Sequence, residues 1–146
     1  MKILFDTSVL VAASLTQHPE HPTCFPQLQS AERGQVEGYL STHSLAETYS
    51  ILTRLPIQPR MSPSDAEIVI ADLLHYLQVV SLDQQDYQAA IACMVALKLP
   101  GGGIFDALIA QAALKAEVDA LFTLNPKHFT RLGPVIAQMT QVPQSS

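Results

Sequence analysis

The chain is poor in cationic side chains: eight Lys and Arg stand against thirteen Asp and Glu, for a formal net charge of −5. The basic footprint of a protein that grips nucleic acid by its phosphates is missing, which argues against tight non-specific binding. It does not exclude a nuclease, because acids gathered to hold cations are offset by those cations. Cysteine is also scarce. Cys24 and Cys93 are far apart and outside any paired motif, so neither a disulfide nor a zinc site is indicated. None of the five His residues (18, 21, 43, 75, 128) is paired with another at i, i+4 on one helix, which makes a His-based zinc site a weak reading. No apolar run reaches the roughly 18–20 residues needed to cross a bilayer. The start, MKILFDTS, lacks the apolar stretch and cleavage site of a signal peptide. The expectation is a soluble cytoplasmic protein with no membrane partner. Gly101–Gly103 lacks the spaced Lys and Ser/Thr of a phosphate loop, and no Gly-x-Ser-x-Gly elbow is present. Repeats and low-complexity segments are absent.

What is present is enough apolar matter for one core, 48% of 146 residues. The reading is a single domain over residues 1–140, with a tail, 141–146, that frays. Strands are expected at 2–5, 36–40, 79–82 and 120–123, with a last edge strand at 135–137. Helices are expected from about Ser8, over 23–33 and over 44–55. Another starts from Ser62 or Ser64, with Ser64 and Glu67 as a capping box and apolar positions running to Tyr76 and Leu77. Asp83 or Asp86 caps the next, residues 104–116 form another, and a short one follows Asn125-Pro126. Strands alternating with helices indicate an α/β layer fold with a mainly parallel sheet.

Three carboxylates interrupt this pattern. Asp6 follows the first strand directly, where ligands sit in open α/β sheets. It serves equally as a helix N-cap. Glu47 lies three residues after Ser44, which makes Ser44–Glu47 a capping box, although Thr42 and His43 are equal cap positions. Asp106 is harder to assign to structure. It shares a helix side with Ile109, Ala110 and Ala113, opposite Gln111 and Lys115, with no Lys or Arg nearby in sequence to pair with it. Asn125, just past the fourth strand, is either a turn residue before Pro or a neutral oxygen ligand. Three acids brought together repel one another unless a divalent cation sits among them. Such a cation activates water for attack on a phosphodiester and stabilises charge on the transferring oxygens. In that reading Asp6 and Asp106 are direct ligands, and Glu47 holds or deprotonates the attacking water. Arg54, Lys127 and Arg131 are candidate phosphate contacts.

With ILFDTSVLVAA at the start, STHSLAETYSIL in the middle and GGGIFDALIAQAALKAEVDALFTLNPKHF towards the end, the chain resembles the PIN-domain family. Within that family it resembles the VapC-like toxin ribonucleases of type II toxin–antitoxin modules. The resemblance runs from residue 3 to 129. It implies a three-layer α/β/α sandwich around a mainly parallel sheet of four to five strands. It implies a Mg²⁺- or Mn²⁺-dependent endoribonuclease with Asp6, Glu47 and Asp106 lining the metal site and Asn125 at a fourth position. That position is Asp in many members, so one negative charge is missing here and a strict two-metal mechanism is in doubt. Thr7, Ser8 and Thr123 fall at supporting hydroxyl positions. An RNA substrate, a cognate antitoxin and a homodimer are implied as partners. The alternative is a catalytically silent PIN-like scaffold that binds protein or RNA; a receiver-type phosphoacceptor is disfavoured, because Asp6 stands alone after the first strand and Thr123-Leu124-Asn125-Pro126 supplies no Lys.

Overall fold

The computed structural model describes residues 1–145. The first strand, β1 (Lys2–Phe5), leads into α1 (Thr7–Ser14) and α2 (His21–Glu32). Then come β2 (Glu37–Ser41), α3 (Thr42–Arg54), α4 (Pro63–Leu73) and β3 (Leu77–Val80). The second half contains α5 (Gln84–Ala96), α6 (Gly103–Lys115), β4 (Ala120–Phe122), α7 (Pro126–Thr130), α8 (Pro134–Met139) and β5 (Thr140–Gln141). All five strands are parallel, in the order β3-β2-β1-β4-β5. The chain builds outward from β1 to β3, then crosses back to place β4 on the other side of β1. The change of direction falls between β1 and β4, where open parallel sheets form their ligand crevice.

Alternation along each strand divides the apolar residues into two cores. Leu4, Tyr39, Val80 and Leu121 face one way, with Met94 of α5 and Leu108, Ile109 and Ala112 of α6. Ile3, Phe5, Leu40, Ala120 and Phe122 face the other way, with Val9, Leu10 and Ala13 of α1 and Cys24 and Leu28 of α2. The result is the expected α/β/α sandwich. A third cluster, Val11, Leu15, Leu52 and Ala66, wedges α3 and α4 against α1. Both cysteines are free, and burial, aided by Glu20, pushes the Cys24 thiol up to about 11. Among the described residues no helix is long and apolar enough to cross a membrane.

Four local expectations are corrected. The third strand begins at Leu77, not Val79, because Leu77 pairs with Gly38 and is buried beneath α2; its helical spacing after Leu74 was coincidental. Ser62 caps α4 by accepting from Asp65 N, so Ser64 and Glu67 form no capping box. Residues 135–137 are helical, since Gly133-Pro134 opens α8 with proline preset for a first turn. The edge strand is Thr140–Gln141, paired with Leu121 and Phe122. The chain therefore does not leave the sheet at residue 140. Beyond it, Gln144 O accepts from Gln27 Nε2, and the Ser145 and Thr23 hydroxyls meet at 3.3 Å. Of the expected frayed tail, Ser146 lies outside the described residues. Of the two candidate caps for α5, Asp83 is the one used, in a reciprocal box with Asp86.

Candidate active site

Asp6 occupies the N-cap position of α1 but makes no side-chain cap hydrogen bond. Its carboxylate is turned elsewhere. The Ser8 hydroxyl donates to Oδ2 at 2.7 Å and the Thr123 hydroxyl donates to the same oxygen at 2.8 Å. Both hydroxyls are themselves fixed by main chain, Ser8 accepting from Leu124 N and Thr123 from Asn125 N. The end of β4 is thus tied to the end of β1 through one carboxylate. Burial raises the Asp6 pKa; the Ser8 and Thr123 hydrogen bonds oppose the rise, and the Glu47 charge adds to it.

Glu47 is no capping residue either. Ser41 caps α3 by accepting from Ser44 N at 3.1 Å, so Ser44 stands at the third helical position and Glu47 one turn further in. Its Oε2 meets His43 Nε2 at 3.3 Å, an i, i+4 pair on one helix face. His43 holds the carboxyl below its ordinary value, although burial opposes this. Thr7 donates to Ser44 Oγ at 2.9 Å, which pins the start of α1 to the start of α3.

Asp106 stands in the first turn of α6 with its side chain 25% exposed. The basic side chains that its sequence neighbourhood lacks come from around α7. His128 Nδ1 lies 3.7 Å and Arg131 Nη2 lies 3.8 Å from Oδ2, both longer than a hydrogen bond. Burial pushes its carboxyl up to about 6, with Asp6 and Glu47 adding to the rise and His128 and Arg131 opposing it. Lys115, on the far side of the same helix, pairs instead with Asp86 at 2.7 Å.

The three acids therefore converge electrostatically at one end of the sheet, from β1, α3 and α6. Asn125 caps the N-terminus of α7 without a side-chain cap bond and lines a cleft with Ser8 and His18. Arg131 adjoins Asp106, and Arg54 is near enough to Glu47 to lower its pKa. Lys127 is exposed on α7, and no contact ties it to the acids among the described residues. Sequence reasoning treated His43 as a cap position and gave His128 and Phe105 no role. The signal for His43 was its spacing of four from Glu47.

Among the described residues no three His, Cys, Asp or Glu side chains form a ready-made metal cage. An open carboxylate site still fits Mg²⁺, which keeps several waters and takes one or two carboxylates. The donor set is suitable. Three carboxylates supply the oxygen ligands that a hard cation takes, and Asp6 is already oriented by the Ser8 and Thr123 hydroxyls.

A family profile described as PIN domain matches residues 3–133. Ribonuclease VapC40 of Mycobacterium tuberculosis is 34% identical over 118 residues, covering 80% of this chain and 81% of that protein. Ribonuclease VapC27 of the same organism is 32% identical over 114 residues, 78% of each. Among solved structures, VapBC2 of Rickettsia felis, bound to a promoter DNA fragment, matches with a TM-score of 0.70 at 19% identity, covering 99% of this chain and 100% of that one. M. tuberculosis VapC20, described as a sarcin–ricin loop cleaving toxin, matches with a TM-score of 0.66 at 20% identity, covering 82% and 86%.

Proposed function

This chain belongs to the PIN-domain family and its VapC-like toxin ribonucleases, and from that premise we propose that it hydrolyses RNA phosphodiester bonds at Asp6, Glu47 and Asp106, with Mg²⁺ or Mn²⁺. The observation that supports the site is the hydrogen bond from Thr123 to Asp6, which joins the ends of β4 and β1 at the crevice, with the start of α3 pinned alongside by the Thr7–Ser44 contact. Asp6 and Asp106 would hold the cation. When bound, the cation supplies charge neutralisation at the phosphate and activation of water. Glu47, kept ionised by His43, accepts a hydrogen bond from the attacking water and orients it. Asn125 offers a neutral oxygen at the fourth position. Arg131 and Arg54 meet the phosphate, Arg131 being free to turn from Asp106 once that carboxylate is neutralised. Lys127 is the more distant candidate. Thr7, Ser8 and Thr123 position the carboxylates and do not react.

Cleavage of a total-RNA pool by purified protein with Mn²⁺ or Mg²⁺ tests this reading. Discrete cuts are expected that vanish in Asp6→Asn and in EDTA, while Asp6→Asn keeps the wild-type circular dichroism. Cuts that persist in the variant refute the assignment. A cytoplasmic location, an antitoxin partner and a homodimer complete the proposal. The exposed apolar side chains Tyr49 of α3 and Ile68 of α4, and the stripe Tyr87, Ile91 and Val95 on α5, support protein contacts. A monomeric mass by light scattering would reject the homodimer. Failure to co-purify with the product of an adjacent gene would reject the antitoxin.

A further inference from the structure

Phe105 is half exposed, at 50%, although it directly precedes Asp106 in the apolar helix α6. Its ring is stacked with that of His43, with centroids 5.3 Å apart and planes within 6° of parallel. The imidazole is in turn held by Glu47 at 3.3 Å. Two planar rings from different helices are thus stacked; His43 touches Glu47, and Phe105 sits in the same helical turn of α6 as Asp106. We propose that the His43–Phe105 stack is a nucleobase platform, on which a single-stranded RNA substrate lays the base next to the phosphate being cut. The proposal rests on the ribonuclease reading and specifies how that site holds its substrate.

Two arguments favour a base as the occupant. A nucleotide carries its base one sugar away from its phosphate, so a phosphate at the acids brings a base to rings beside them. The second argument is electrostatic. A chain of net charge −5 with eight Lys and Arg gains little from phosphate contacts, and its site is itself acidic. Affinity for single-stranded RNA then has to come from a source that charge does not oppose. Base–aromatic stacking is such a source, and it tolerates any sequence because every base has a π face.

The test compares Phe105→Ala, Phe105→Leu and Phe105→Trp, each in the non-cleaving Asp6→Asn background. Binding to fluorescein-labelled A10, C10 and U10 RNA is read by anisotropy in Mn²⁺, with the melting temperature of each variant alongside. Phe105→Ala and Phe105→Leu are expected to weaken binding roughly 5- to 150-fold, the range for loss of one base–aromatic stack. Phe105→Trp is expected to bind at least as tightly as the parent. Equal binding by Phe105→Leu and the parent, at unchanged melting temperature, overturns the platform, because an apolar contact would then suffice. So does a loss of self-association in Phe105→Ala with RNA affinity unchanged, which would make Phe105 a protein contact. Total-RNA cleavage by the protein without the Asp6 change separates the two failures. If it neither cleaves nor binds RNA, the ribonuclease reading falls and the platform with it. If it cleaves while Phe105→Ala has no effect on binding, the platform alone falls.

Discussion

Replacing Asp106 by Asn should make the metal-free protein more stable at neutral pH. Its carboxyl is raised from 3.8 to about 6, chiefly by burial. The folded state therefore holds a proton between these values that the unfolded chain has already released. Stability falls as pH rises through this window and stays low above about 6. At about 1.4 kcal/mol per pH unit the full penalty is about 3 kcal/mol. The side chain is 25% exposed and lies 3.8 Å from the Arg131 guanidinium, so solvent screening reduces this to about 1–2 kcal/mol. For a chain of this length that corresponds to roughly 3–8 °C in melting temperature. The amide also relieves the repulsion with Asp6 and Glu47, in the same direction. The assay is thermal unfolding of the parent and Asp106→Asn in EDTA from pH 4 to pH 8. The difference between them should be small near pH 4, grow through pH 5 and 6, and level off above. Adding Mn²⁺ at pH 7.5 should raise the parent more than the variant. A variant less stable than the parent at pH 7.5, or a gain independent of pH, would refute the claim that burial costs the ionised Asp106 carboxyl more than its neighbours return.

Thr123→Val removes a donor to a buried carboxylate and the acceptor for Asn125 N; urea unfolding at pH 7.5 should show a loss of about 1.5–3 kcal/mol, with cleavage reduced at least about tenfold. Unchanged stability would mean that the hydroxyl does not hold Asp6. Gly38→Ala should cost about 1–3 kcal/mol, since a Cβ there comes within 2.9 Å of Ala31 Cβ and 3.1 Å of Phe5 Cε2. A urea midpoint equal to the parent's would show that β2 and α2 are not packed this closely.

The features legible in the sequence were those governed by short-range patterns. Apolar strands of four or five residues, separated by helix-length segments, gave the layers and the parallel sheet. Asp106 stood out because a helix apolar on nearly every side leaves a carboxylate nothing local to bind. Other features depended on contacts no window contains. The cap of α3 is Ser41, the last residue of a strand, so a local reading placed Glu47 in a box it does not form. Arg131 and His128 reach Asp106 only because α7 packs against the start of α6. Gly133-Pro134 was a helix start hidden by the β-branched Val135 and Ile136 that follow it. Phe105 read as one more apolar residue of α6; only its pairing with His43 from another helix distinguishes it.

The hydrogen bond from Thr123 to Asp6 spans 117 residues of sequence. Its partners are the ends of the central strand β1 and of β4, and β1 is made well before β4. At roughly 5–20 residues per second, about 6–25 seconds pass between their emergence from the ribosome. During that interval Asp6 lacks one of its two hydroxyl partners and β1 lacks its β4 neighbour. The Asp6 side of the crevice therefore cannot be finished before residue 123 has been made.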